Sequence, residues 1–291
     1  MLDVLPGNVA QVMLGESASR EALQALESKL GLDRPALERY GAWMAGLARG
    51  DMGQSVAYDT PVLQLVQERL VVTVPLTVMA MLLTTLLALV LGVYAAAHHN
   101  RLGDVGVMAL SQLGIAVPSF WFAIVLILVF AVKLRWFSAG GFPGWDEGVW
   151  NGVRALVLPA LAQAAVQASI LTRITRSAVL DVLREDFVRT ARAKGLSRRE
   201  VLWRHVLRNA FVPVLTVIGL QFASLLAGTV VIEYVFSLPG LGRLVFQAIA
   251  NRDLVVVRNV VMLLAAAVIA INFVVDVLYA VIDPRLRSRR G

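Results

Sequence analysis

Few residues in this sequence have the types and spacing that catalysis or metal binding requires. Cysteine is absent, and the three histidines are His98, His99 and His205. Because two of them are adjacent, they cannot converge on one metal ion from a helix. None of the three lysines follows the glycine-rich turn of a phosphate-binding loop. The sequence therefore predicts a protein that is not an enzyme, with no catalytic residues, no metal ligands and no cofactor.

Uncharged polar residues inside apolar stretches are the other candidates for a chemical role. Gln163 and Gln167 are four residues apart, which places both on one face of a helix. Such amides and hydroxyls could line a weakly binding passage for a hydrated solute, or they could hydrogen-bond neighbouring helices. Both interpretations stay open at this point. The candidate passage residues are Gln112, Gln163, Gln167, Gln221 and Ser224.

Ionisable residues are missing from the centres of these apolar stretches. Glu233 and Asp276 lie near the ends, where capping a helix or pairing with a basic neighbour is favoured over a role in transport. Carriers driven by an ion gradient usually hold ionisable groups at the middle of the membrane. The pattern therefore counts against an ion-coupled carrier.

The elements that must position these residues are membrane-spanning helices. Hydrophobic residues make up 58% of the chain and charged residues only 16%, whereas soluble proteins have about 25% charged residues. A helix needs about 20 apolar residues to cross a bilayer, and five stretches reach this length. They lie at 71–97, 105–132, 155–180, 210–236 and 255–281. We expect an all-α, polytopic membrane protein in which Pro118 and Pro159 kink their helices.

Lysine and arginine set the orientation, since short loops rich in them stay in the cytoplasm. Residues 172–209 contain ten of the 27. We therefore place the loop 184–209 and the basic tail 283–291 in the cytoplasm, residues 1–70 outside, and the membrane domain at 71–282. This bias accounts for the net charge of +7, so no nucleic-acid partner is needed. The predicted location is the inner (plasma) membrane, with several spans and a cytoplasmic C-terminus.

The external region is predicted to be folded, as a cap on the membrane domain rather than a contact for an external partner. Ser19 can cap a helix that stops at Gly31, and a second helix starts at Pro35 and stops at Gly50. A third amphipathic segment, 61–70, leads into the first span. The start of the sequence has neither the basic nor the apolar part of an export signal. We expect that a first transmembrane helix precedes it; the alternative is that the first span inserts in reverse and carries the tail out.

The most distinctive segment is a basic stretch between the third and fourth apolar stretches. Its apolar residues recur at helical spacing on both sides of Gly195, and Ser197 is placed to cap the second part. The pattern predicts two short amphipathic helices hinged at Gly195, with the apolar face toward a partner. A hairpin fixed between two spans would act as a lever that tilts both. The alternative is a membrane-anchored scaffold or assembly factor whose basic loop binds anionic headgroups or another protein.

Several segments resemble the permeases of ABC importers, in particular the dipeptide, oligopeptide and nickel branch. Thr190 and Ala191, followed by Gly195 and then by His205-Val-Leu-Arg-Asn-Ala210, are similar to the cytoplasmic EAA loop of that family. Arg189 stands where the EAA pattern has glutamate. Five further segments similar to this branch occur in the expected order: Gly31-Leu-Asp-Arg-Pro35, Gly50-Asp-Met-Gly-Gln-Ser55, Pro118-Ser-Phe-Trp121, Glu233-Tyr-Val-Phe-Ser-Leu-Pro-Gly-Leu-Gly242 and Ile282-Asp-Pro-Arg285.

The resemblance implies the type I ABC importer permease fold and a set of partners. These are a second permease subunit in a heterodimer, two ATPase subunits that hydrolyse ATP, and a periplasmic substrate-binding protein. The substrate would be a peptide or a related small solute, such as a nickel complex or glutathione. The family usually has six transmembrane helices, whereas this chain shows five. The segment 233–242 would lie at the outer mouth as a gate or a turn. The residues expected to contact the ATPase subunits are Phe187, Arg189, Thr190, Ala191, Arg192, Ala193, Lys194, Gly195, Leu196 and Ser197.

Overall fold

The computed structural model describes residues 10–11, 15, 19–30, 32 and 34–282. They form helices joined by turns, which include an isolated bridge between Gln54 and Pro61. The helices are α1 (Arg20–Leu30), α2 (Ala36–Ala48), α3 (Val62–Ala97), α4 (Leu102–Ala116), α5 (Ser119–Leu126), α6 (Val149–Leu183), α7 (Asp186–Ala193), α8 (Arg198–Val201), α9 (Leu207–Val235), α10 (Leu241–Ala250) and α11 (Leu254–Ile282). Two π-helical segments follow α5 and α8, at Ile127–Lys133 and Leu202–Val206. The predicted basic tail 283–291 and Gly31, where the first helix was predicted to stop, lie outside the described residues. The structure also does not describe the side chains of Leu26, Leu30 and Asp276.

Membrane-spanning helices dominate the described residues. Four are long and apolar enough to cross a bilayer: Val62–Ala97, Val149–Leu183, Arg198–Val235 and Leu254–Val275. A fifth candidate combines α4 with α5 and its π-helical extension, which meet at 105°. The prediction of an all-helical membrane protein is therefore confirmed, and five apolar spans result when the bent pair is counted as one.

Pro118 explains the position of that break. The residue before it, Val117, has an extended backbone with φ −90° and ψ 125°, because the proline ring disfavours helical geometry in the preceding residue. Pro159 has a different outcome, since it lies inside α6 and the helix continues through it. Of the two prolines expected to kink their helices, Pro118 thus produces a complete break between two helices.

The described part of residues 1–71 forms one compact unit with residues 240–265. In its core, Val62 and Val66 from the start of α3 pack with Leu241 and Leu244 of α10 and with Val256 of α11. The amphipathic segment predicted at 61–70 is therefore the first part of α3, and it packs by its apolar face within this unit.

Polar contacts attach α2 to the beginning of α11 within the same unit. Trp43 Nε1 donates to Asn259 Oδ1 at 2.8 Å, and Asn259 Nδ2 donates to the Met52 carbonyl at 2.8 Å. The Arg258 guanidinium lies 4.8 Å from the centroid of the Trp43 ring. Ser55 Oγ donates to Asp253 Oδ2 at 2.5 Å. These contacts give the segment around 43–55 a defined place against residues 253–259.

The helix boundaries predicted for the N-terminal region are close to those observed. Ser19 Oγ accepts a hydrogen bond from the Ala22 amide at 3.2 Å, which is the predicted cap of α1. The prediction that Pro35 begins the second helix is wrong by one residue, because Pro35 occupies the N-cap position and α2 begins at Ala36. Gly50 follows α2 with φ +82°, a conformation that suits glycine at a helix end.

Residues 72–239 and the described residues from 266 onward form the second unit. Helix α6 packs against α4, α5 and α9. Around these contacts lie fully or almost fully buried apolar side chains, among them Leu76, Leu156, Leu225, Ile232 and Phe236. The helix that leads into the basic hairpin thus packs against at least three other helices of this unit.

Small residues bring the helices of this unit close together. A Cβ atom added to Gly92 of α3 would lie 2.7 Å from the Cβ of Thr175 of α6, and one added to Gly114 of α4 would lie 2.1 Å from Ser169 Oγ. Both positions exclude any larger residue unless the helices move apart. Contacts of this type are the usual way in which membrane helices associate.

Candidate functional site

The basic stretch forms a helical hairpin that turns at Gly195, which we call the basic hairpin (residues 184–206). Helix α7 ends at Ala193, and Gly195 has φ +86°. The Gly195 amide donates to the Arg192 carbonyl at 3.0 Å, which closes the end of α7. Ser197 Oγ accepts from the Glu200 amide at 3.3 Å and caps α8. The predicted turn and the predicted cap are both present.

The second arm of the hairpin is not a separate short helix, and here the sequence-based prediction is wrong. Helix α8 continues through the π-helical segment Leu202–Val206 into α9, so that Arg198–Val235 forms one span. The spacing of two valines explains why the segment that joins α8 to α9 is π-helical. Val201 and Val206 are both fully buried, yet five residues of α-helix would separate their directions by about 140°. A π-helical turn holds more residues than an α-helical turn and keeps both on one face.

The apolar face of the basic hairpin packs against other helices of the same chain. Val188, Ala191, Val201 and Val206 are buried in a cluster that also contains Leu171 of α6. The prediction that this face points toward a partner is therefore wrong. The hairpin needs its apolar residues to anchor its two arms to the membrane helices.

The residues left on the outside of the hairpin are aromatic, polar and basic. The exposed fraction is 42% for Phe187 and 63% for Trp203. Leu196 is half-buried, and Ala191 is buried. The other residues predicted to contact ATPase subunits are exposed: Arg189, Thr190, Arg192, Ala193, Lys194, Gly195 and Ser197. Their role in binding a partner stays a prediction, but all except Ala191 are at least partly accessible.

A buried ion pair, which we call the Asp104 pair, connects the start of α4 to α6. Asp104 is 3% exposed, and its Oδ1 and Oδ2 lie 2.5 Å and 2.7 Å from Nε and Nη2 of Arg176. Oδ2 also accepts from the Asn100 amide at 3.0 Å and lies 3.2 Å from His99 Nδ1. Sequence reasoning missed this pair, because Asp104 and Arg176 are 72 residues apart and neither belongs to a motif.

The histidines beside this pair, His98 and His99, directly follow the end of α3 at Ala97. His98 stacks on Tyr94, with ring centroids 4.4 Å apart, and its Nδ1 lies 3.0 Å from the Tyr94 carbonyl. His99 contacts the Asp104 pair instead. Among the described residues, no group of three or more acidic, histidine or cysteine side chains could hold a metal ion.

The five candidate passage residues do not form one continuous lining. Gln163 Nε2 donates to the Leu225 carbonyl, and Gln221 Nε2 donates to the Gln167 carbonyl at 3.0 Å. Gln163 and Gln221 are buried and join α6 to α9, which matches the interpretation that these amides hydrogen-bond neighbouring helices. Gln112 and Ser224 are exposed and Gln167 is half-buried. A role of these five residues in solute passage stays a prediction.

Two amide oxygens leave room for that role. Oε1 of Gln163 and Oε1 of Gln221 are buried and have no hydrogen-bond partner among the described residues. A buried carbonyl oxygen without a donor costs free energy unless water or a ligand supplies one. These two oxygens are therefore unused acceptors between α6 and α9, and contact with a passing molecule stays a prediction.

Glu233 lies near the end of α9, as predicted. It is fully buried, and the Thr73 hydroxyl of α3 donates to its Oε1 at 2.5 Å. Its carbonyl accepts from the Leu238 amide at 2.8 Å, which closes the end of α9. Residues 236–240 thus form a turn that leads into α10, and a gating role of 233–242 stays a prediction.

We expect Gln163→Leu and Gln221→Leu each to lower the free energy of unfolding by about 1 kcal/mol, because each removes one hydrogen bond between α6 and α9. Thermal unfolding in detergent measures the change. Ser224→Ala, at an exposed position of α9, is the matched control and should stay within about 0.3 kcal/mol of the parent. Unchanged stability in both glutamine variants would contradict the hydrogen-bonding interpretation.

Long apolar helices, two of which meet at a sharp bend, and a hairpin that joins two of them define a polytopic helical membrane protein. The chain belongs to the family of binding-protein-dependent transport system inner membrane components, which matches residues 88–288. It is a permease subunit of an ABC importer, of the peptide transport type, and lies in the inner membrane with several spans.

Relatives and solved structures agree with this assignment. A di/tripeptide transport system permease protein of Pseudomonas aeruginosa (strain UCBPP-PA14) is 39% identical over 311 residues, which cover 100% of this chain and 93% of that protein. A protein of Brucella abortus (strain 2308) named as a peptide transport system permease is 43% identical over 287 residues, covering 99% of this chain and 91% of that one. A chain of the MetNI methionine ABC transporter in inward-facing form has a TM-score of 0.62 at 16% identity, over 76% of this chain and 97% of that chain. This last likeness shows a shared fold.

Proposed function

We propose that this chain carries di- or oligopeptides across the inner membrane as one half of a heterodimeric pore. The relatives named for peptide transport, which match it over nearly its whole length, support a peptide substrate. Nickel complexes and glutathione are the competing substrates that the sequence left open. A second permease would complete the pore, and a substrate-binding protein would deliver the peptide to the outer face.

We also propose that the basic hairpin couples the pore to ATP-binding subunits. The observation that supports this is that the second arm of the hairpin continues into a membrane span. Phe187 and the cations of α7 are exposed and offer a surface for one ATP-binding subunit. The second permease would offer its own surface to the second ATP-binding subunit. Gly195 connects this surface to α8, and α8 continues without a break in the helix to Val235. A displacement of α7 would therefore reach the span Arg198–Val235 through Gly195 and α8, and would reach α6 through the short turn at 184–185.

The orientation of the chain follows from the distribution of its charges. We place the loop 184–209, which contains the hairpin, and the tail 283–291 in the cytoplasm, because loops rich in arginine stay there. Residues 1–70 then lie outside, and the membrane domain extends over 71–282. This arrangement puts the surface proposed for ATP-binding subunits on the side where ATP is available.

Peptide uptake by the complete transporter tests the proposal. We expect cells that lack other peptide importers to accumulate labelled dipeptide when they express this chain with its partner subunits, and excess unlabelled dipeptide should compete. Accumulation should stop on ATP depletion and continue in the presence of a protonophore. Labelled nickel or glutathione taken up in place of the peptide would overturn the substrate, and uptake that survives ATP depletion would overturn the coupling.

A further inference from the structure

An apolar groove opens between α3, α6 and the π-helical start of α9, and we call it the α3–α9 groove. Its volume is about 460 Å³. Val90 and Tyr94 line it from α3, Thr175 from α6, and Trp203, Phe211 and Val214 from the other side. All of these residues belong to the second compact unit. The groove is therefore formed within one compact unit of packed helices.

The groove is open rather than closed. Val90, Tyr94, Trp203 and Phe211 are exposed in this chain, although they belong to candidate membrane spans. A groove with apolar walls at membrane depth is suited to a hydrocarbon chain, because water in it would face almost no hydrogen-bonding groups.

Thr175 of α6 is a polar residue of the groove wall. Its Oγ1 is buried and forms no hydrogen bond with any described residue, so it is covered by protein atoms rather than available to a ligand. Arg173 and Arg176 come just before and after Thr175 on α6. Their charges place this part of α6 near the membrane surface.

Basic and aromatic residues mark the cytoplasmic end of the groove. Trp203 and Leu207 line it, and each is followed in sequence by an exposed arginine, Arg204 and Arg208. On the α3 side, Tyr94 stacks on His98. Aromatic rings and arginines concentrate at membrane interfaces, and basic clusters on the cytoplasmic side attract anionic headgroups.

We infer that the α3–α9 groove binds an anionic phospholipid of the cytoplasmic leaflet, with an acyl chain along Val90 and Phe211 and the phosphate at Arg204 and Arg208. The inference rests on the proposed orientation and does not depend on which solute is transported. The charge of the two arginines selects an anionic lipid over a neutral one. The second arm of the hairpin, α8, continues into α9 as one helix. The lipid would therefore lie against the helix that the ATP-binding subunits are proposed to move.

Quenching of Trp203 by brominated lipids tests this inference in the complete transporter, reconstituted into vesicles. The Trp203 signal is the difference between the parent and Trp203→Phe, and Trp121→Phe of α5 is the control for an exposed tryptophan elsewhere. We expect dibromo-phosphatidylglycerol to quench Trp203 at about a tenfold lower mole fraction than dibromo-phosphatidylcholine, because two arginines near the headgroup favour the anionic lipid. The Trp121 signal should show no such preference.

Charge variants decide whether the arginines make the selection. Replacing both Arg204 and Arg208 by glutamine should bring the two lipids within about twofold of each other. The matched variant Arg184→Gln with Arg192→Gln removes the same charge from the same loop and should keep the preference. Equal quenching by both lipids in the parent would overturn the inference, and so would loss of the preference in the matched variant. Absence of Trp203 quenching by either lipid would also overturn it, since a protein subunit would then cover the groove.

Discussion

Replacing Arg176 by methionine is expected to lower the free energy of unfolding by about 3 kcal/mol, the low end of the range for breaking a buried ion pair. The change leaves the Asp104 carboxylate 3% exposed and without its charged partner. The Asn100 amide and His99 still contact that carboxylate, which is why the lower value applies. Thermal unfolding of the purified complex in detergent measures the loss.

Two further variants show whether the charge or the packing of Arg176 matters. The double variant Asp104→Leu with Arg176→Met removes both charges and should recover most of the lost stability, because no carboxylate is left uncompensated. Arg173→Met, three residues earlier on α6, removes an exposed arginine and should change stability by less than about 0.5 kcal/mol. If the double variant is as unstable as Arg176→Met alone, the ion pair is not the cause.

Gly195→Pro should reduce ATP-driven peptide uptake about tenfold or more while the protein still inserts into the membrane. Proline requires φ near −65°, whereas Gly195 has φ +86°. It also lacks the amide that donates to the Arg192 carbonyl at 3.0 Å and pushes Lys194 out of helical geometry. The arms of the hairpin would then separate, and the motion of α7 would no longer reach α8. Uptake of labelled dipeptide and abundance in the membrane are the two measurements.

Gly195→Asn is the matched control for this prediction. Asparagine enters the left-handed region more easily than other residues with a side chain, and no atom lies within 4 Å of a Cβ built at this position. We expect this variant to keep most of the parental uptake. Parental uptake in Gly195→Pro would show that the turn does not transmit the motion, and an equal loss in both variants would show that glycine is needed for a different reason.

Local signals made the turn of the hairpin predictable. Gly195 between two amphipathic segments and Ser197 at the start of the second are read within a few residues, and both occupy the expected positions. The second arm was harder, because the apolar pattern was interpreted with the period of an α-helix. Val201 and Val206 are five residues apart, and only the π-helical segment between them lets both be buried.

Long-range contacts were not predictable from the sequence alone. The residues next to Asp104 and next to Arg176 in the sequence form no motif. The pairing of the two depends on how α4 packs against α6. The direction in which the apolar face of the hairpin points also depends on how the helices pack. An amphipathic pattern predicts a buried face, but it does not say whether the surface that covers Val188 and Val201 belongs to this chain or to a partner.

The break at Pro118 has a consequence for water inside the membrane. Helix α4 has 15 residues and is about 22 Å long, which is shorter than the hydrocarbon core of about 30 Å. The break therefore lies within the depth of the bilayer if α4 starts at its surface. Pro118 has no N–H to offer to the Gly114 carbonyl, which is the acceptor of an α-helical bond from that position. Hydrocarbon cannot hydrate this oxygen, so at the bend a donor other than the Pro118 amide, from protein or from water, has to meet it.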